Sequence, residues 1–156
     1  GASIMGGYWR RPAETAKVLR DGWYMTGDAG FVDETGLVTV VDRTRDMMIS
    51  GGENVYPSEV EAALLEHPDI QETAVFGVPD ARWGSRIAAA AVLRPGVNPA
   101  TVDLATVRTF LESRIARYKH PRQLMILDQL PRTPTGKVVR GVLIEAAERE
   151  AAPAPV

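Results

Sequence analysis

The sequence predicts an α+β protein: a β-hairpin and a roughly three-stranded sheet covered by helices, preceded by a hairpin-bearing segment with its own pattern. Three observations predict it. Apolar runs of strand length, 73–78 and 87–93, are closed by Pro79-Asp80 and by Arg94-Pro95-Gly96. Stretches of helical period alternate with them, as in 102–116, where Val107, Phe110, Leu111 and Ile115 share one face. Glycine-bearing loops, Asp33-Glu34-Thr35-Gly36 and Ser50-Gly51-Gly52-Glu53-Asn54, sit between apolar pairs as antiparallel turns do. No internal repeat competes with this sheet-and-helix order.

The elements follow in sequence. Pro12 and Glu14 suit the first turn of a short helix that Asp21-Gly22 ends. Phe31-Val32 and 37–41 flank the first hairpin loop, giving a unit too small to hold a core alone. Asp42 to Asp46 is polar, lies between two apolar strands, and is the natural boundary: 1–42 forms one segment and 43–150 the next. Met47-Met48-Ile49 and Val55-Tyr56 form the second hairpin. A helix begins at Pro57 with Val60, Ala63 and Leu64 inward, and stops near His67-Pro68. Strands at 73–78 and 87–93 follow, joined by a helix or a turn; then come the helix 102–116, a strand at 123–127, and a last helix from about Arg140 to Glu150. Residues 151–156 read as a frayed Pro/Ala tail.

Composition removes several kinds of function. In 156 residues there is no cysteine, which excludes a disulfide scaffold, thiolate zinc, an iron–sulfur cluster and a Cys nucleophile. Two histidines, His67 and His120, leave little for a His-rich metal site or a Ser-His-Asp triad; no metal site is expected. The net charge of −2 argues against a general nucleic-acid binder. The longest apolar run is far too short for a membrane span, and no charged-then-apolar signal segment opens the chain. A cytoplasmic protein is expected.

Four features could carry chemistry. In Pro131-Arg132-Thr133-Pro134-Thr135-Gly136-Lys137, two prolines and a glycine fix a turn that presents one ammonium. It is either a solvated surface lysine or a compact charge for a developing phosphoryl or carboxylate oxygen. Gly51-Gly52 is either a tight turn or a place where backbone passes close to a ligand. Arg114, Arg117, Tyr118, Lys119, His120 and Arg122 form the one basic run, fit either for a solvated helix end or for stacking a base and pairing phosphates. Asp28 and Arg43 bracket the first hairpin and could hold a ribose between them.

Taken in order, these pieces resemble the adenylate-forming acyl-CoA synthetases. The resemblance rests on Gly7-Tyr8-Trp9, Thr26-Gly27-Asp28, Asp42-Arg43, the run from Ser50 to Glu61, Gly77-Val78-Pro79-Asp80 and the Pro131–Lys137 loop, and it extends from Gly6 to Glu150. It implies a chain holding the end of a large N-terminal AMP-binding domain and a mobile C-terminal domain. The Ser/Thr/Gly-rich phosphate loop and the acyl pocket of that large domain are not in these residues. The implied activity is condensation of a carboxylic acid, a fatty acid first among them, with ATP to an acyl-adenylate, then acyl transfer to CoA. Mg2+ would accompany ATP, its ligands lying outside this chain.

By the same resemblance, Asp28 and Arg43 bind the ATP ribose hydroxyls, Lys137 reaches the carboxylate and α-phosphate, and Arg45 is the hinge. Gly51, Gly52 and Trp83 line the pantetheine path, while Tyr118, Lys119 and His120 contact the CoA nucleotide. His120 departs from the aromatic-Lys-Arg-Pro form common in the family, and a neutral imidazole brings a single donor there. Two other readings remain at this level: an adenylation domain serving a carrier protein, and a stand-alone nucleotide- or CoA-binding module.

Overall fold

A computed structural model describes residues 1–151; the Pro/Ala tail of the sequence reading lies almost wholly outside the described residues. The chain divides into two compact units, 1–45 and 46 onward.

In the first unit, helix α1 (Pro12–Val18) starts on Pro12 and carries Glu14 in its first turn, paired to Lys17 at 2.7 Å. The Thr15 hydroxyl accepts from the Tyr8 amide and donates to the Arg11 carbonyl, which ties the entering chain to the helix. Strands β1 (Leu19–Arg20) and β2 (Trp23–Tyr24) then pair around Asp21 and Gly22, both at positive φ. The sequence predicts a helix stop at Asp21-Gly22. Asp-Gly also suits a two-residue hairpin turn, and here that preference prevails. Strands β3 (Asp28–Val32) and β4 (Val38–Arg43) form the expected hairpin, its turn held by Asp33 Oδ1 accepting from the amides of Thr35 and Leu37. Because β4 runs through Asp42 and Arg43, the first unit extends past the boundary read at 42. None of residues 1–45 is buried, and Trp9, Trp23, Phe31, Val32, Val38 and Val40 are exposed.

The second unit has a core. Strands β5 (Met48–Ser50) and β6 (Glu53–Val55) form a tight hairpin around Gly51 and Gly52, at φ 63° and 88°. Helix α2 (Pro57–Leu65) buries Val60, Ala63 and Leu64. A long antiparallel ribbon of β7 (Ile70–Asp80) and β8 (Gly84–Leu93) follows, joined by a turn. Helix α3 (Leu104–Leu111), strand β9 (Gln123–Ile126) and helix α4 (Arg140–Ala151) complete the unit. The hairpin does not stand apart from the three-stranded sheet. Ser50 pairs with Gly84, and β9 runs parallel to β8, so all five strands share one sheet in the order β6-β5-β8-β7, with β9 also against β8.

Side-chain alternation sorts the core. Val75, Ile87, Ala89 and Ala91 pack with α2 and α3, through Leu64, Val107 and Leu111. Ala74, Phe76, Val78, Ala88 and Ala90 pack with α4 through Leu143 and Ala147. The sheet is thus covered on both faces, which is why β8 reads as an unbroken apolar run. Strand β7 continues through Pro79 although the sequence reading stopped it at 78, since β7 is an edge strand and tolerates a residue with no N–H. Helix α3 is shorter than the periodicity suggests. Its start is fixed by a capping box between Asp103 and Thr106, and after Leu111 the chain turns while Phe110 and Ile115 stay packed on the core.

Candidate active site

Four groups of predicted residues emerge, one in the first unit and three in the second. In the first, Asp28 and Arg43 are direct partners across β3 and β4, and Arg43 Nη1 lies 2.8 Å from Asp28 Oδ1. The same guanidinium donates to the Thr26 carbonyl at 3.0 Å. Antiparallel register does what sequence spacing could not: it sets a carboxylate and a guanidinium side by side. Arg43 also lines an open cleft of about 630 Å³, together with Tyr8, Tyr24, Thr26, Gly27 and Arg45 among others. Arg45 is exposed in a single helical turn, Thr44–Asp46.

In the second unit, Gly51 and Trp83 meet at the turn end of the β7–β8 ribbon. The Gly51 amide donates to the Trp83 carbonyl at 3.2 Å, and a Cβ on Gly51 would stand 3.2 Å from the Trp83 ring. Asp80 builds the turn, its Oδ1 accepting from the amides of Arg82 and Trp83, both at 2.9 Å. Those amides, helped by the charges of Arg86 and Arg122, hold the Asp80 carboxyl below its ordinary pKa. The Trp83 ring carries two guanidinium groups, Arg122 at 4.2 Å and Arg82 at 5.0 Å from the ring centre. Arg86 Nε is buried with no hydrogen-bond partner among the described residues. Arg82 and Arg86 belong to no motif of the sequence; Arg122 belongs to the basic run, but that it stacks on Trp83 depends on β9 lying beside β8.

Two members of the basic run, open in the sequence to either a solvated helix end or a nucleotide contact, are drawn into the protein. The His120 ring is 3% exposed, and its Nε2 lies 3.1 Å from the Ile115 carbonyl, so it does not present its donor to a phosphate. Lys119 is ion-paired to Glu59 at the start of α2. Burial pulls its pKa down, but the hydrogen bond and charge of Glu59 outweigh that, and the net shift is upward. Tyr118 remains exposed.

Lys137 projects from a different place. The loop 131–139 closes on itself: Arg132 bridges to Val138, Thr133 N donates to the Lys137 carbonyl at 2.8 Å, and Val139 N donates to the Pro131 carbonyl. Gly136, at φ 84°, makes the turn, and the Lys137 side chain is exposed. Arg132 reaches Glu72 at 2.5 Å and Arg140 reaches the Val75 carbonyl at 3.1 Å, so the loop is moored to β7 near Glu72. The Gly51 hairpin is moored where β7 ends, at Asp80 and Gly84. From Glu72 to Asp80 the strand covers roughly 25 Å at about 3.3 Å per residue. The two groups occupy opposite ends of one ribbon. Among the described residues, no three His, Asp or Glu side chains converge as a cation site.

The chain is similar in sequence and fold to known proteins. A family model described as the AMP-binding enzyme C-terminal domain matches residues 59–137. A 2-succinylbenzoate–CoA ligase of Geobacillus kaustophilus is 46% identical over 140 residues, covering 90% of this chain and 28% of that protein. A long-chain-fatty-acid–CoA ligase of Bacillus subtilis is 47% identical over 145 residues, covering 93% and 25%. The ATP-bound crystal structure of MatB from Rhodopseudomonas palustris superposes with a TM-score of 0.86 at 37% identity, over 97% of this chain and 30% of that one. The chain therefore spans little more than a quarter of the relatives it matches, and it belongs to the AMP-binding enzyme C-terminal domain family of the adenylate-forming acid ligases.

Proposed function

We propose that this chain is the C-terminal part of an acid–thiol ligase working in two half-reactions. In the first, a carboxylate oxygen attacks the α-phosphorus of ATP; the new P–O bond forms as the bond to the β-phosphate oxygen breaks, and pyrophosphate leaves. In the second, the CoA sulfur attacks the acyl carbon, its proton is lost, and AMP departs. The observation that carries the reading is the placement of Lys137 and Gly51–Trp83 at opposite ends of the β7–β8 ribbon. One orientation of this unit can offer the ammonium to an active site, and another can offer the glycine hairpin. A rotation near Arg45 is proposed to exchange them.

The residues take the following parts. Asp28 accepts from the ribose hydroxyls while Arg43 holds its carboxylate in place. Lys137 neutralises charge developing between carboxylate and α-phosphate. Gly51 and Gly52, having no side chains, leave room for pantetheine beside Trp83, and Tyr118 with the arginines around Trp83 faces the CoA nucleotide. Lys119, held by Glu59, and His120, turned inward, frame that surface. The exposed apolar side chains of residues 1–45 suit a segment that completes its packing against the rest of a larger domain.

The test is acid-dependent pyrophosphate release, with ATP and CoA, by the longer protein carrying this segment. A panel of carboxylic acids should be used, fatty acids first, because a relative of 47% identity is a fatty-acid ligase. At least one acid should give both pyrophosphate and a thioester, while residues 1–156 alone should give neither, since a lone lysine has no positioned substrates to act on. Turnover by the short chain above a Lys137→Ala control, or ATP binding by the longer protein with no acid-dependent release across the panel, would contradict the reading.

A further inference from the structure

Lys137 is only as useful as its placement, and the peptide group leading into it is held from both sides. Arg132 Nη1 donates to the Gly136 carbonyl at 2.7 Å, and the amide of Lys137, the other end of that peptide, donates to Thr133 Oγ1 at 3.1 Å. A peptide plane fixed at its oxygen and its nitrogen cannot rotate about the flanking bonds, and such rotation is what would redirect the Lys137 side chain. Gly136 makes the clamp necessary. At φ 84° its turn has no side chain to brace it, and a Cβ placed there would meet nothing within 4 Å.

The clamp is itself anchored. The other terminal nitrogen of the guanidinium, Arg132 Nη2, lies 2.5 Å from Glu72 Oε2 on β7. One planar fork therefore joins the loop to the sheet, with one nitrogen on the carbonyl before Lys137 and the other on a carboxylate of the ribbon. The hydroxyls of Thr133 and Thr135, 2.9 Å apart, close the loop internally without tying it to the sheet. Arg140 ties the far end of the loop to the Val75 carbonyl and to Glu61, but it follows Lys137 and does not touch its peptide.

We infer that Glu72 and Arg132 are positioning residues for adenylation: through Arg132, the Glu72 carboxylate sets the orientation of the Gly136–Lys137 peptide and hence the reach of the Lys137 ammonium. The inference rests on the role proposed for Lys137 above. Glu72 lies outside every motif of the sequence and reaches the site only through the fold, 60 residues from its partner.

The experiment uses the longer protein with four changes, Glu72→Gln, Arg132→Gln, Arg132→Lys and Lys137→Ala, the first two also combined with Lys137→Ala. Each half-reaction is measured by itself, the second from a synthetic acyl-adenylate. Glu72→Gln and Arg132→Gln should lower the kcat of adenylation about tenfold, well short of the loss from deleting the ammonium, with KM for acid and ATP within about twofold. Arg132→Lys should recover little, since an ammonium cannot grip both partners in a fork. In the Lys137→Ala background neither Gln variant should cost anything further, because a group that acts through Lys137 has nothing left to position. The thioester half-reaction should stay within about twofold throughout, which also reports that the variants fold. Equal losses in both half-reactions, losses that persist on Lys137→Ala, or no loss at all would overturn the inference. If Lys137→Ala alone leaves adenylation intact, the role of Lys137 falls, and that outcome is read without either Gln variant.

Discussion

Trp83 is held at its amide, its carbonyl and its ring, by neighbours in its own turn and by two distant parts of the chain. The Asp80 carboxylate fixes its amide, the Gly51 amide fixes its carbonyl, and two guanidinium groups cover its ring. A tryptophan so held is fixed in orientation, which suits the place in the thiol path proposed for it. Asp80→Ala removes the first contact and lets the turn 81–83 relax. In the longer protein it should raise KM for CoA about fivefold while leaving adenylation unchanged, a split expected of a lost binding contact. Gly51→Ala should act in the same direction more strongly. It forces a non-glycine residue to φ 63° and brings a methyl group to 3.2 Å from the ring. Unchanged CoA kinetics in both variants would take Trp83 out of the thiol path.

The elements differ in how much of them the sequence exposes. Helix α2, strand β8 and the Gly51 hairpin are legible because local signals agree: Pro57 at a helix start, an unbroken apolar run, paired glycines. The β1–β2 hairpin is not, since Asp-Gly serves equally as a helix stop and a hairpin turn, and two-residue strands leave no periodicity to decide. Nor is the edge of β7 legible. Its Val75 amide donates to Glu61 and its Val75 carbonyl accepts from Arg140, so two side chains close a backbone edge that would otherwise be open to another strand. Such long-range partners, like Arg122 on Trp83 and Arg132 on Glu72, exist only after the sheet has formed. The motifs named Lys137 and Gly51; what holds each of them lies elsewhere in the chain. Capping of α3 offers a test at this scale. The amide and hydroxyl of Thr106 hold the Asp103 carboxyl below its ordinary pKa, so its contribution is present above the unfolded carboxylate range and is lost as pH falls through the folded value. Asp103→Asn keeps a cap that does not titrate and should flatten the acid limb of a Tm-against-pH curve, whereas Asp103→Ala should lower Tm at neutral pH. An Asn variant whose acid limb is unchanged would assign the acid sensitivity to other carboxylates.

At the scale of the whole molecule, a unit with a two-sided core follows a segment with no buried residue. Residues 1–45 hold a paired Asp28 and Arg43; the cored unit carries a lysine loop at one end of its longest ribbon and a glycine hairpin at the other. The central claim is the proposed one, that each end of the ribbon serves a different half-reaction and that the two therefore act in turn. The most direct measurement is the rate of each half-reaction in Lys137→Ala and Gly51→Ala forms of the longer protein, with the thioester step started from synthetic acyl-adenylate. Lys137→Ala should lower adenylation about 10²–10³-fold, or roughly 3–4 kcal/mol, and leave thioester formation within a few-fold of the unaltered protein. Gly51→Ala should leave adenylation within a few-fold and slow thioester formation at CoA concentrations below the raised KM. Equal losses in both half-reactions for either variant would contradict the account, because the two ends would then serve the same step.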